Sequence, residues 1–378
     1  MNTVYLDNAA TTRPFDEAIQ AMEISMREGF FNPSSFYAPA IIARNSVEAC
    51  RALLKNELKA KDLIFTSGGT EADNLGIIGY MRKARNRGRI LYSSAEHPAV
   101  REACLSLHPE HEALTIPILP DGSLDLNVLE TLLTEDTALI CVMQVSNEVG
   151  AVQPLTEVIR LRDRLCPEAA LHVDGVQGFL RIPVNLRDGI DSYALSAHKI
   201  HGPKGIGALA LKENSRLAPL HYGGGQEKGL RSGTENTAGI AGLMAAVRFF
   251  PRESMMRRIT LRLFERLQNL IPEVVLNGPH PCIALACGYI LNLSFPPVRA
   301  ETLMHALESK GVLVSHGSAC ATGKKTRNPT LSGMGLSGIR LESSIRFSLS
   351  PFTTEDEVDF AAEACACAYK QLSKFTRK

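Results

Sequence analysis

A mostly parallel α/β sheet flanked by helices, followed by a smaller α+β region, is the fold class this sequence predicts. Three observations carry it. Apolar runs of strand length alternate with amphipathic stretches between residues 63 and 195. The segments that bear chemistry begin where those expected strands stop. After Thr234 the alternation gives way to a long helix and isolated strands.

Leu63-Ile64-Phe65-Thr66 reads as a strand and Glu71 to Arg85 as the helix that follows it. Arg89 to Tyr92 is the next strand, with a helical stretch from Ala99. Ala138 to Val145 predicts a strand and Leu155 to Leu165 a helix, with further strands at Ala169 to Val173 and Ser192 to Leu195. Regular strand–helix alternation places helices on both faces of a parallel sheet. Ligands of such sheets sit outside the carboxyl ends of the strands, so the motifs are expected to share one edge. The Ala-rich stretch Asn236 to Phe250 predicts a helix ended by Pro251. Beyond it, Tyr289 to Ser294, Val312 to Ser315 and Ser344 to Ser348 predict strands separated by helices. The expected division is a large domain over 15–251 and a small domain made of 1–14 plus 252–378.

Composition narrows the function. The 378 residues are 45% hydrophobic and 21% charged, and 41 basic residues balance 40 acidic ones. A near-neutral chain without like-charge blocks gives no reason to expect nucleic acid or a membrane as partner. The first residues have no basic n-region or apolar h-region, so no signal peptide is expected. No apolar run approaches the ~20 residues that span a bilayer. Nine scattered cysteines, with no sign of secretion, point to reduced thiols in a cytoplasmic protein. Neither His108-Pro109-Glu110-His111 nor Cys365-Ala366-Cys367 has zinc spacing, so no metal site is expected.

Lys199 lies in Ser196-Ala197-His198-Lys199, just past an expected buried strand and before a Gly/Pro turn. Partial desolvation there lowers an amine's pKa and makes it nucleophilic toward an aldehyde. A surface lysine beside a turn is the plainer reading, and Lys204 is the rival. Asp174 ends the strand Leu171-His172-Val173, where a carboxylate is costly to bury unless it meets positive charge. A protonated pyridine nitrogen is such a charge, and Gln177 follows three residues later with an amide for the ring oxygen. Asp174 also reads as an N-cap. Thr66-Ser67-Gly68-Gly69-Thr70-Glu71 joins a strand to a helix and reads either as a phosphate cradle, centred on Gly69 and Thr70, or as an ordinary helix start capped by Thr70. It lacks the Lys-Ser/Thr of a P-loop and the G-x-G-x-x-G fingerprint, which argues against a nucleotide.

His97, in Ala95-Glu96-His97-Pro98, has an imidazole suited to stacking on a ring and moving protons near pH 7, or to capping the next helix. Asn147 either reaches the ring oxygen or stabilises a turn. Cys320 lies in His316-Gly317-Ser318-Ala319-Cys320, a Gly/Ser-rich segment expected to be exposed and mobile, where it reads as a reactive thiol or as a plain free loop thiol. An unperturbed thiol would be only ~3% thiolate at pH 7, a fraction that His316, Lys324 and Lys325 can raise. Arg346, inside the apolar strand Ser344 to Ser348, needs an anion. A bidentate pair with an α-carboxylate supplies one, at ~1.5–3 kcal/mol per charge-assisted bond, and an internal salt bridge is the alternative.

Together these strings resemble the cysteine desulfurases, the NifS/IscS-like members of aminotransferase class V. The resemblance runs from Tyr5-Leu6-Asp7-Asn8-Ala9-Ala10-Thr11-Thr12 to Arg346. Its most specific parts are Ser196-Ala197-His198-Lys199, Gly223-Gly224-Gly225-Gln226-Glu227 with Arg231-Ser232-Gly233-Thr234, and Gly317-Ser318-Ala319-Cys320. It implies the pyridoxal-phosphate (PLP) transferase fold type I. It implies Lys199 as the cofactor's covalent anchor, His97 stacked on the ring, Asp174 on the pyridine nitrogen, and Asn147 and Gln177 at the phenolate side. Gly69, Thr70, Ser196 and His198 would hold the phosphate, with Thr234 from the second subunit of a homodimer. Arg346 and Asn32 would bind the substrate L-cysteine, and Cys320 would carry its sulfur as a persulfide to an acceptor such as an iron–sulfur scaffold.

Two positions depart from the family's Gly-Asn-Pro-Ser-Ser-x-His pattern: Phe31 stands for the glycine and Tyr37 for the histidine. Both bear on substrate scope or turnover. Another class-V activity, such as selenocysteine lyase or aminotransferase, and a non-catalytic dimeric binding module are the competing expectations. The chain also ends at Lys378 without the longer tail by which some members dock a scaffold.

Overall fold

The computed structural model describes residues 3–84, 88–212, 217–251, 255–316 and 328–376. In chain order the strands are β1 (Val4–Tyr5), β2 (Asp62–Thr66), β3 (Arg89–Ser93), β4 (Ala113–Ile116), β5 (Thr137–Met143), β6 (Ala170–Asp174), β7 (Ser192–Ser196), β8 (Gly207–Leu211), β9 (Val275–Asn277), β10 (Ile290–Ser294), β11 (Val312–Leu313) and β12 (Ser344–Ser348). The helices used below are α1 (Asp16–Arg27), α2 (Ala38–Leu58), α3 (Gly69–Asn74), α4 (Pro98–Leu105), α5 (Leu126–Leu132), α6 (Leu155–Leu165) and α7 (Thr237–Phe249).

Seven strands form the central sheet in the order β2-β8-β7-β6-β5-β3-β4. All neighbours pair in parallel except β8, which is antiparallel to both β2 and β7. The carboxyl ends of β2, β3, β5, β6 and β7 therefore share one edge. Asp174 pairs there with Met143 and Ala194, and both Ser196 and Thr66 pair with Gly207.

Period-two geometry divides each strand between two cores. Leu91, Ile140, Val142, Leu171 and Val173 pack on one face, with Leu54 and Leu58 of α2 and Leu243 of α7. Ile90, Tyr92, Leu139 and Cys141 pack on the other, with Val100, Ala103 and Cys104 of α4. Burial on both faces is why these strands read as continuous apolar runs. Each buried aliphatic side chain contributes ~1.5–3 kcal/mol of transfer free energy.

The helix expected over Glu71 to Arg85 begins two residues earlier, widens into a π turn at Leu75–Gly79 and ends at Met81. Within that turn Gly76 lies against His172, so close that a Cβ would stand 2.6 Å from the imidazole. Strand β5 stops at Met143 rather than Val145, because the Gln144 N–H turns to the Asp174 carbonyl and Val145 bridges to Val152.

Beyond α7, β12, β10 and β9 form an antiparallel sheet. The chain's start joins this region. Strand β1 pairs in parallel with β11, Asp7 bridges to Ser348, and fully buried Leu6 packs in one cluster with Leu293, Phe347 and Val358. That stitching carries Asp7, Ala9 and Ala10 to the carboxyl edge of the large sheet.

Candidate active site

A cavity of about 680 Å³ opens where this edge meets β12 and the N-terminal segment. Gly69, Thr70, His97, Asn147, Asp174, Gln177, Ser196, His198, Lys199 and Arg346 all line it. Each of the first nine follows or ends a strand of the large sheet, or opens the helix after it. Arg346 comes from the middle of β12.

Lys199 leaves the turn after β7 and is half-buried. Its Nζ donates to the carbonyls of Ala9 at 2.5 Å and Ala10 at 2.9 Å. Burial first, and the Arg346 guanidinium second, push the amine down to about 8, with Asp174 and Asp7 pulling the other way. The rival Lys204 is exposed and is not among the cavity's lining residues.

Asp174 is 6% exposed. Its Oδ1 accepts the Val176 N–H at 2.9 Å, so the turn-capping role and the cavity-facing role coexist. Burial raises its pKa, while His97 and Lys199 oppose the rise. A positive ring nitrogen would offset the same desolvation. Two further acids that the sequence reading left without a role line the cavity beside it. Glu96 follows β3, and its Oε1 accepts the Met143 N–H at 2.6 Å. Its Oε2 is buried without a partner among the described residues. Asp73 of α3 meets His172 at 3.2 Å. Burial first, then the charge of Asp174, holds both acids well above the usual carboxylate range. Burial alone lowers His172 to about 3, so that imidazole is neutral.

The N-cap position of α4 belongs to His97, whose Nδ1 accepts the Ala99 N–H at 3.1 Å. That bond assigns the ring hydrogen to Nε2. Burial lowers this histidine's pKa, and it lowers His198 to about 4 with help from Lys199 and Lys204. The His198 Nδ1 lies 3.1 Å from the Thr11 hydroxyl. At Gly69 a Cβ would meet Val176 Cγ2 at 2.6 Å and Ser196 Cβ at 3.6 Å, so bare backbone faces the cavity there.

Gln177 donates its amide to the Ala9 carbonyl at 2.8 Å. Asn147 donates to Glu148 Oε1 at 2.9 Å. Arg346 is 5% exposed. It donates to Asp7 Oδ1 and to the Asn147 carbonyl, each at 2.9 Å, which satisfies part of the internal salt-bridge reading. Its Nε is buried and finds no acceptor among the described residues.

Not every expected residue reaches the cavity. Asn32 is exposed, and its Oδ1 accepts the Ser34 N–H at 2.9 Å within its own turn. Thr234 is exposed at the end of a segment fastened by Arg231 to Glu71 at 2.9 Å. Half-buried Phe31 packs on exposed Phe30 and meets exposed Tyr37 edge-on at 6.0 Å, and none of the three lines the cavity. Cys320 lies outside the described residues. Ser315 and Asn328, which precede and follow that stretch of chain, both line the cavity.

The donor set fits a phosphorylated aromatic aldehyde with a ring nitrogen. It offers an amine of lowered pKa for the aldehyde, a buried carboxylate for the nitrogen and a bare-backbone cradle for the phosphate. Among the described residues no group of three or more His, Cys, Asp or Glu has metal-holding geometry, and no helix is long and apolar enough to cross a membrane.

Comparison with known proteins agrees with this arrangement. The profile of the family Aminotransferase class-V matches residues 4–360. A cysteine desulfurase of Trichormus azollae is 36% identical over 374 residues, covering 96% of this chain and 92% of that protein. A solved NifS-like protein superposes with a TM-score of 0.89 at 32% identity, covering 98% of this chain and 100% of the other. The structure of SspA in complex with cysteine gives a TM-score of 0.81 at 30% identity, over 93% of this chain and 100% of that one.

Proposed function

This chain belongs to the aminotransferase class-V family, in its NifS/IscS-like cysteine desulfurase branch, and from that premise we propose that it is a PLP-dependent cysteine desulfurase. The reaction takes sulfur from L-cysteine, leaves L-alanine and forms a persulfide on Cys320. The observation that carries the proposal is the meeting of Lys199, Asp174 and Arg346 in one cavity, with an amine lowered to about 8 between a buried carboxylate and a buried guanidinium.

PLP, held by Lys199, Asp174 and the Gly69–Thr70 cradle, supplies an electron sink when bound. Ser196 and His198 would complete the phosphate side, and Asn147 and Gln177 would serve the ring oxygen. His97, which lines the cavity and carries its ring hydrogen on Nε2, would stack on the ring. Arg346 takes the substrate's α-carboxylate, and its unsatisfied Nε supports that role. With its lowered pKa, Lys199 holds and moves the α-proton near neutral pH. Cys320 receives the substrate's sulfur: one carbon–sulfur bond breaks and one sulfur–sulfur bond forms.

Thr234 serves the phosphate of the second subunit in a homodimer, and its exposure away from its own cavity supports that reading. Asn32 belongs to the substrate entrance in the same arrangement. The division into 15–251 and 1–14 plus 252–378 is supported by two separate apolar cores. A cytoplasmic setting suits the free thiols of all eight described cysteines. An acceptor such as an iron–sulfur scaffold then takes the sulfur.

The test is incubation of PLP-loaded protein with L-cysteine and a thiol reductant, measuring L-alanine and sulfide. Equal amounts of both, lost in Lys199→Ala, are expected. Transamination of L-cysteine without sulfur release would overturn the desulfurase reading.

A further inference from the structure

Glu148 stands against the carboxylate-binding arginine, and none of the roles above uses it. It is 3% exposed and lines the cavity. Its Oε1 lies 3.6 Å from Arg346 Nη1, beyond a good hydrogen bond, and accepts the Asn147 amide at 2.9 Å instead. The other oxygen accepts the Asn328 amide, also at 2.9 Å. Arg346 is already paired with Asp7 at 2.9 Å. One guanidinium thus faces two acidic side chains, and a substrate carboxylate would make a third.

We propose that Glu148 is a positioning residue that sets how tightly Arg346 holds the α-carboxylate of substrate and product. Two neutral amides fix its carboxylate beside Arg346, so its charge opposes any carboxylate that pairs there. Binding too tight would slow the departure of L-alanine. An acid held beside the arginine keeps the affinity low without removing the guanidinium that orients the ligand. The same acid holds the amides of Asn147 and Asn328, both of which line the cavity. This inference rests on the desulfurase reading, because it takes an amino acid's carboxylate as the ligand of Arg346.

The test titrates PLP-loaded protein with L-alanine and with L-alaninamide, which lacks the carboxylate, following the visible absorbance of the bound cofactor. Glu148→Gln keeps the side chain's size and removes its charge. The expected result is L-alanine binding about tenfold tighter, equivalent to ~1.4 kcal/mol, with L-alaninamide unchanged. Glu148→Asp, which keeps the charge, should leave the ratio of the two affinities at the wild-type value. General loosening of the site would weaken both ligands together, so it cannot imitate the change in ratio. An unchanged or lowered preference for L-alanine in Glu148→Gln overturns the inference alone. Wild-type protein that responds to neither ligand overturns the desulfurase reading and this inference with it.

Discussion

Lys199 gives the sharpest quantitative prediction. Its amine is pushed from 10.5 to about 8, chiefly by burial and then by Arg346. At pH 7.5 a lysine of ordinary pKa is ~0.1% free base, whereas one at 8 is about a quarter free base. A lowered pKa enlarges the nucleophilic fraction at every pH below the ordinary value, by roughly three-hundredfold at neutrality. Cofactor-free protein treated with a trace of an amine-acylating reagent, across a series of pH values, reads this directly. Peptide masses report Lys199 and the exposed Lys204 from the same tube. Labelling of Lys199 should rise with pH and level off above about 8, while that of Lys204 keeps rising. Arg346→Gln removes a cation that depresses the amine, so its plateau should move to higher pH. A Lys199 profile that follows Lys204 up to the ordinary lysine range would refute the electrostatic argument.

Further predictions concern the cradle, the ring partner and the scaffold. Gly69→Ala sets a methyl 2.6 Å from Val176 Cγ2, so it should cost ~1–3 kcal/mol in denaturant unfolding and weaken PLP retention during dialysis. Asp174→Ala removes the only acid expected at the ring nitrogen, and should cut sulfur release from L-cysteine at least as severely as it cuts PLP retention. Arg51 holds Glu227 in a two-bonded pair, both bonds 2.8 Å, with side chains 12% and 2% exposed. Arg51→Met leaves buried Glu227 without its counter-charge, only the Phe65 N–H still bonded to it, and should destabilise the fold by ~3–5 kcal/mol, seen as a lower denaturation midpoint.

Much of the architecture is written in local patterns. Helix α6 and strand β12 have the bounds their periodicity predicts, because a run bounded by turn residues leaves little latitude. Strand β8 escapes a reading by pattern. Gly207-Ala208-Leu209-Ala210-Leu211 has no β-branched or aromatic residue, and only the slot between β2 and β7 makes it a strand. The π turn at Leu75–Gly79 is equally tertiary in origin, since it depends on the approach to His172. At the site, Asp174 is legible as a costly residue type at a strand end, and Lys199 and His97 because each stands in a short motif just past one. Glu96 and Glu148 adjoin residues singled out from sequence, His97 and Asn147. Their burial depends on how β5 and β12 close over them, which spacing does not reveal. Asp73 falls four residues after Gly69 on α3, and only the packing of that helix on the sheet turns it inward.

The most direct measurement is the mass of the Cys320 peptide after PLP-loaded protein meets L-cysteine without reductant. The account predicts one added sulfur atom at Cys320, matched by one L-alanine, and neither in Lys199→Ala. Full sulfur release by Cys320→Ser, or L-alanine formed while Cys320 stays unmodified, would contradict it.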